Sequence, residues 1–148
     1  VSGPEDVLKA DALEADASNS DALAAEVLAA ADAIIADFGH HRTVAYFSGF
    51  APDATFVFHT AASRLESRAE YERLWATWER DDGFRVHGCS SSDRRVQLFG
   101  ETAVFTHSVR SSVELAGSVS DVTERETIVF ARRDGQWLAV HEHLSAVS

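Results

Sequence analysis

The sequence predicts an α+β fold, a curved and mostly antiparallel β-sheet wrapped around N-terminal helices to form a cone. Three observations carry this expectation. Helical periodicity is confined to positions before Gly83, nearly everything from Phe84 onward reads as strand, and an Asp134-Gly135 pair joins two β-rich runs. Helices gathered ahead of the sheet, instead of alternating with its strands, indicate α+β and not a doubly wound α/β arrangement.

Residues 1–19 are acidic and rich in alanine, with a weak apolar pattern at Val7, Leu8 and Leu13. They are expected to form an N-terminal leader or a marginal helical turn, with the folded domain at 20–148. From Ser20, a suitable N-cap followed by Asp21, the apolar residues Leu23, Val27, Ala31, Ile34 and Phe38 recur at helical spacing. Gly39 ends that run. A short helix from about Thr43 is expected to bring Val44, Tyr46, Phe47 and Phe50 inward. Ala51-Pro52-Asp53 then closes the helical region, because proline disfavours helical geometry in its predecessor, and a strand follows at Thr55–His59.

The next helix begins with Ser67-Arg68-Ala69-Glu70, the pattern of a capping box. Tyr71, Leu74, Trp75 and Trp78 form its apolar face, and Asp82-Gly83 stops it. Four long strands follow. The first spans 84–98 with a polar middle, Ser90 to Asp93, that suggests a bulge. Turns at Gly100-Glu101, Ala116-Gly117 and Asp134-Gly135 separate the rest. Asp-Gly favours a two-residue hairpin because both residues reach positive φ at small cost. The strands flanking it, through Thr127–Phe130 and Trp137–Leu144, are apolar on both faces and are placed centrally, ending in His141-Glu142-His143.

At 148 residues with 45% apolar composition, one domain with a buried core is expected. A formal charge of −11 argues against a nucleic-acid partner or an anionic membrane surface. The one cysteine, Cys89, rules out an intrachain disulfide. No apolar run is long enough to span a membrane, and a cytoplasmic location is the default expectation.

Phe50-Ala51-Pro52-Asp53-Ala54-Thr55-Phe56, Gly100-Glu101-Thr102-Ala103-Val104, and the closing Asp134-Gly135-Gln136-Trp137 to His141-Glu142-His143-Leu144-Ser145 together resemble the SnoaL-like branch of the NTF2-like superfamily. The last strand is also similar to the association domain of calcium/calmodulin-dependent protein kinase. The resemblance spans roughly residues 20–146 and implies the cone fold. Relatives of this fold include ketosteroid isomerases, dehydratases, polyketide cyclases, epoxide hydrolases and non-catalytic oligomerisation domains. In the kinase domain arginines line the pocket; here Ile128 and Leu144 stand where two of them would be, so that family's carboxylate site is not carried over. Tyr46 matches the helix tyrosine of the isomerase branch, without a complete catalytic set around it.

His59, His107, His141 and His143 lie on expected strands beside apolar neighbours, and histidine exchanges protons near neutrality. Together with Glu126 they are the candidate catalytic residues; either Glu126 or Glu124 can orient an imidazole. Tyr46, Phe58, Trp75, Trp78 and Arg125 are the candidate ligand-binding residues, the aromatics suiting a flat apolar molecule. The two closing histidines are two apart, so both point to one sheet face, with Glu142 and Leu144 on the other. The alternative reading makes these histidines hydrogen-bonded members of the sheet or of a subunit interface.

The first functional expectation is a small-molecule enzyme that isomerises, dehydrates or cyclises a hydrophobic or cyclic substrate by histidine-assisted proton transfer. A non-catalytic ligand-binding or oligomerisation module is the second, and a His-ligated metalloenzyme the third. No cofactor and no metal site are assigned. Because neighbouring positions such as Val129 and Phe130 point opposite ways, the outer sheet face is also apolar, and a homodimer is expected.

Overall fold

The structure, a computed structural model, describes residues 3–147. The elements run α1 (Pro4–Gly39), α2 (Thr43–Ser48), β1 (Phe50–Phe58), α3 (Arg68–Asp82), β2 (Arg85–Phe99), β3 (Thr102–Leu115), β4 (Ser118–Arg133) and β5 (Gln136–Ala146). The α+β order read from periodicity is present, but the cone is not. The five strands form one open sheet in the order β1-β5-β4-β3-β2, with β1 and β2 at opposite margins and unpaired to each other. The sheet neither curls around the helices nor closes. It is also mixed, since β1 runs parallel to β5. The hairpin turns fix the antiparallel run from β2 to β5, whereas no turn links β1 to β5 and no local signal sets their direction. Backbone hydrogen bonds of 2.9 Å in both directions between Phe56 and Leu65 occupy part of the β1 margin.

The turns follow their sequence chemistry. Asp134 and Gly135 have φ of 52° and 76°, the two positive values that a tight hairpin needs, and Arg133 pairs with Gln136 across them. In β2, register shifts at Val86/Gly88 and Ser92/Arg95 bracket the polar middle, where Asp93 has φ 51°.

Two local expectations are corrected. α1 is a single helix of 36 residues that passes through Ser20 without a break, and Pro4 occupies its first turn, where a missing N–H costs nothing. Its N-terminal half is exposed, and burial begins only where the apolar stripe does, with Val27, Ala31 and Ile34 inward. Second, β1 begins at Phe50, upstream of Pro52; an irregularity between Phe50 and Thr55 absorbs the proline, and Val44 is 87% exposed. In α3, the Ser67 hydroxyl accepts from the Glu70 N–H at 3.2 Å, while the Glu70 carboxylate accepts from Glu66 N–H, one residue short of a reciprocal box.

The helices pack on one face of the sheet. α1 lies chiefly along β2, and Gly39 permits the approach: a Cβ there would stand 3.2 Å from Cys89 Cβ. Tyr46, Phe47, Tyr71, Trp75 and Phe84 form an aromatic cluster between helices and sheet, with Trp75 edge-on to Phe84 at 4.9 Å. Phe56, Phe105, Ile128 and Phe130 supply the floor from the strands.

Candidate active site

Between the helices and the inner face of the sheet lies a cavity of about 380 Å³. Ile34, Ile35 and Phe38 of α1, Tyr46 of α2 and Tyr71 and Trp78 of α3 form its roof. Phe58, Val109, Val113, Val122 and Leu144 add apolar surface from the strands and their ends. Four carboxyl groups belong to this lining, Glu124 and Glu126 from β4, Glu142 from β5 and the exposed Asp82 at the end of α3, with His59 just beyond β1.

Strand alternation places Glu124, Glu126, Ile128 and Phe130 on one face of β4, and the buried Ile128 and Phe130 make that the inner face. In β5 the same rule, applied from the buried Trp137 and Ala139, would send His141 and His143 inward. The structure inserts one extra residue: Phe130 pairs with Ala139 but Val129 pairs with His141, leaving Val140 unmatched. This bulge reverses the phase. Glu142, 4% exposed, therefore faces the cavity, while His141 and His143 turn to the outer face. There His141 Nδ1 shares a 2.8 Å hydrogen bond with Thr55 Oγ1, and partial burial followed by the charge of His143 lowers its pKa. Arg125 is exposed on that outer face too.

Of the other candidates, Tyr46, Phe58 and Trp78 line the cavity; Trp75 does not, being fully packed in the core. His59 Nε2 meets Glu124 Oε2 at 2.5 Å and keeps its other nitrogen free of side-chain bonds among the described residues. His107 is enclosed on both sides, with Nδ1 2.7 Å from Ser91 Oγ and Nε2 2.7 Å from Glu126 Oε1. It orients Glu126 and does not border the open volume.

Glu142 carries the most perturbed carboxyl. Burial raises its pKa well above the ordinary value, and the charge of Glu126, a hydrogen bond shared with it, and the charge of Glu124 push in the same direction. Its Oε2 is buried and has no hydrogen-bond partner among the described residues. Tyr46 and Tyr71 join their hydroxyls at 2.9 Å. Burial, then the charge of Glu142, holds both phenols neutral far into the alkaline range. A pair of hydroxyls uses only one of its two protons internally, so the second is available to a neighbour. Burial also raises the Cys89 thiol to about 11, leaving it a protonated wall residue and not a nucleophile.

The site brings together five of the expected residues, His59, Glu126, Tyr46, Phe58 and Trp78, while His107 and Trp75 are packed outside the open volume and His141, His143 and Arg125 lie on the outer face. Glu124, expected as an alternative to Glu126 for orienting an imidazole, does so for His59. Glu142 was not among the expected site residues, and finding it required knowing the bulge. Among the described residues no three His, Cys, Asp or Glu side chains converge in a way that would hold a metal, so the donor set does not fit the His-ligated metal alternative. No helix among them is long and apolar enough to cross a membrane.

A SnoaL-like domain profile matches residues 27–148, and the chain belongs to that family. Solved structures agree on the fold. A ketosteroid isomerase-like protein from Erwinia carotovora atroseptica is 16% identical, with a TM-score of 0.71 over 84% of this chain and 96% of that one. A Xanthomonas campestris protein provisionally described as a calcium/calmodulin dependent protein kinase II association domain is 25% identical, with a TM-score of 0.65 over 82% and 86%. A Streptomyces avermitilis protein of the NTF2-like family, provisionally described as a dehydratase, is 20% identical, with a TM-score of 0.69 over 87% and 99%. No curated protein matches the chain.

Proposed function

We propose that this protein catalyses proton transfer on a small hydrophobic, often cyclic, molecule held in the cavity, giving isomerisation or loss of water. The observation that carries this reading is Glu142, a buried carboxyl with one unpartnered oxygen, set in the same cavity as the His59–Glu124 pair. A carboxyl whose pKa is raised can donate a proton at neutral pH, and an imidazole held by a carboxylate can accept one. Glu142 is assigned as the acid and His59 as the base, with Glu124 orienting it. His107 and Glu126 are positioning residues. The relatives described as a ketosteroid isomerase-like protein and a dehydratase support this class of chemistry.

The test is a panel of cyclic ketones and β-hydroxy ketones incubated with the protein in D₂O and followed by proton NMR. Deuterium incorporation or loss of water is expected, falling by about a hundredfold or more in Glu142→Gln and His59→Ala. His141→Ala and His143→Ala should leave the rate unchanged. Folded Glu142→Gln and His59→Ala proteins with full activity would overturn the assignment.

A second reading, a non-catalytic binding module, draws on His107, whose two ring nitrogens are both occupied. It expects ligand binding without turnover anywhere in the panel. We also propose that a second copy covers the outer sheet face, where Val104 and Val129 pair across β3 and β4. Light scattering that reports a monomer at micromolar concentration would refute this.

A further inference from the structure

The charges around the cavity are one-sided. Four carboxyl residues line it, Asp82, Glu124, Glu126 and Glu142, and among the described residues no lysine or arginine does. His59 is the one lining side chain able to become cationic, and it is already engaged with Glu124. An acidic cluster alone is common on protein surfaces, where water solvates it. Here Glu124 and Glu142 are buried, and Glu142 Oε2 lies in the lining without a partner among the described residues. A buried carboxyl oxygen left unpaired costs free energy that an incoming donor would recover.

We propose that the cavity selects a ligand bearing a basic nitrogen on an apolar, ring-sized body, with the ammonium group set against Glu142 and Glu126. The fit is chemical at both ends. An ammonium has several N–H donors and no acceptor, matching carboxylates that can only accept. The faces of Tyr46, Tyr71 and Trp78, all in the lining, attract cations through the negative potential of their rings. Ile34, Val109, Val113 and Leu144 receive the apolar body. An anionic ligand of the same shape would meet Glu124 and Glu126 without a free cationic partner, so charge and not shape is the discriminating feature. Because the arriving cation stabilises the ionised form of Glu142, binding also draws the proton off that carboxyl, so a cationic ligand occupies the site without using Glu142 as its acid.

This inference rests on reading the cavity as the ligand site, but not on turnover. Isothermal titration calorimetry with 2-(2-naphthyl)ethylamine, 2-(2-naphthyl)ethanol and 2-naphthylacetate separates the two. The amine is expected to bind about tenfold or more tighter than the alcohol, as a charge-assisted hydrogen bond in a buried site would give, and the acetate weakest of all. Titrations of the amine in buffers of different ionisation enthalpy should show proton release, which Glu142→Gln abolishes while the alcohol still binds. Equal affinity for amine and alcohol would overturn the inference and leave the cavity as the ligand site. Failure of all three probes to bind would overturn both.

Discussion

The two faces of the sheet carry similar residue types and different chemistry. On the inner face Glu124, Glu126 and Glu142 lie beneath aromatic side chains, and burial holds Glu142 protonated well above its usual range. On the outer face His141, His143 and Arg125 look more conventionally catalytic, yet they do not line this cavity. Composition does not separate the faces; enclosure does. A titratable group acquires an unusual pKa when helices cover it, and the helices cover one face only. A single extra residue at Val140 decides whether the glutamate or the two histidines of the His-Glu-His run receive that cover.

Adjacent substitutions on β3 test the asymmetry most strongly. Phe105 is fully buried on the inner face, and Val104, its neighbour, points outward and is partly exposed. Phe105→Ala should cost about 3–5 kcal/mol through lost burial and the cavity left behind. Val104→Ala should cost much less, about 1 kcal/mol or below for a partly exposed site. Urea unfolding of both variants measures the difference. Similar losses would mean that the outer face is as well covered as the inner, and would favour a second copy seated on it.

Glu142→Gln sharpens the comparison through pH. Folding raises the pKa of Glu142, so the folded chain retains a proton that the unfolded chain has already released. Stability from this group is therefore intact below the ordinary value of 4.5 and is lost as pH rises toward the folded value. Glutamine cannot ionise, so the variant should differ little from the parent near pH 4.5 and gain on it steadily at higher pH. Melting temperatures from pH 4.5 to 8 would show this as diverging curves. Parallel curves would mean that Glu142 is not held protonated by the fold.

Most of the element order was legible because it depends on short-range signals. Ser67 with Glu70, Asp134 with Gly135, and the stripe from Val27 to Ile34 act within a few residues of one another. The open sheet and the parallel β1–β5 pairing were not legible, since they join Phe50–Phe58 to a strand some eighty residues away without a connecting turn. For the site, alternation suffices along β4, where pairing with β3 runs without a shift, and it fails along β5, where Val140 breaks the count. Of the four candidate histidines, His59 and His107 lie on the inner face with Glu124 and Glu126, and only His141 and His143 are turned outward by the bulge. The glutamates become unusual only once buried, and burial is a property of the tertiary structure.

The junction that holds the inner arrangement in phase is Gly49. It links α2 to β1, and its carbonyl accepts from Ala139 N–H at 2.9 Å, immediately before the bulge. Its φ of −75° is open to any residue, so its backbone does not require glycine. Space does: an added Cβ would lie 2.7 Å from Ile34 Cγ1, on a buried branched side chain of α1 with little freedom to move. Gly49→Ala should therefore cost about 1–3 kcal/mol by overpacking. Gly88 in β2 provides the control, because a Cβ there meets nothing within 4 Å. Gly88→Ala should be neutral, or stabilising by about 0.4–1 kcal/mol through reduced freedom of the unfolded chain. If Gly49→Ala is as harmless as Gly88→Ala in urea unfolding, α1 is free to shift on the sheet, and the contact between Ile34 and the α2–β1 junction does not fix the cavity roof.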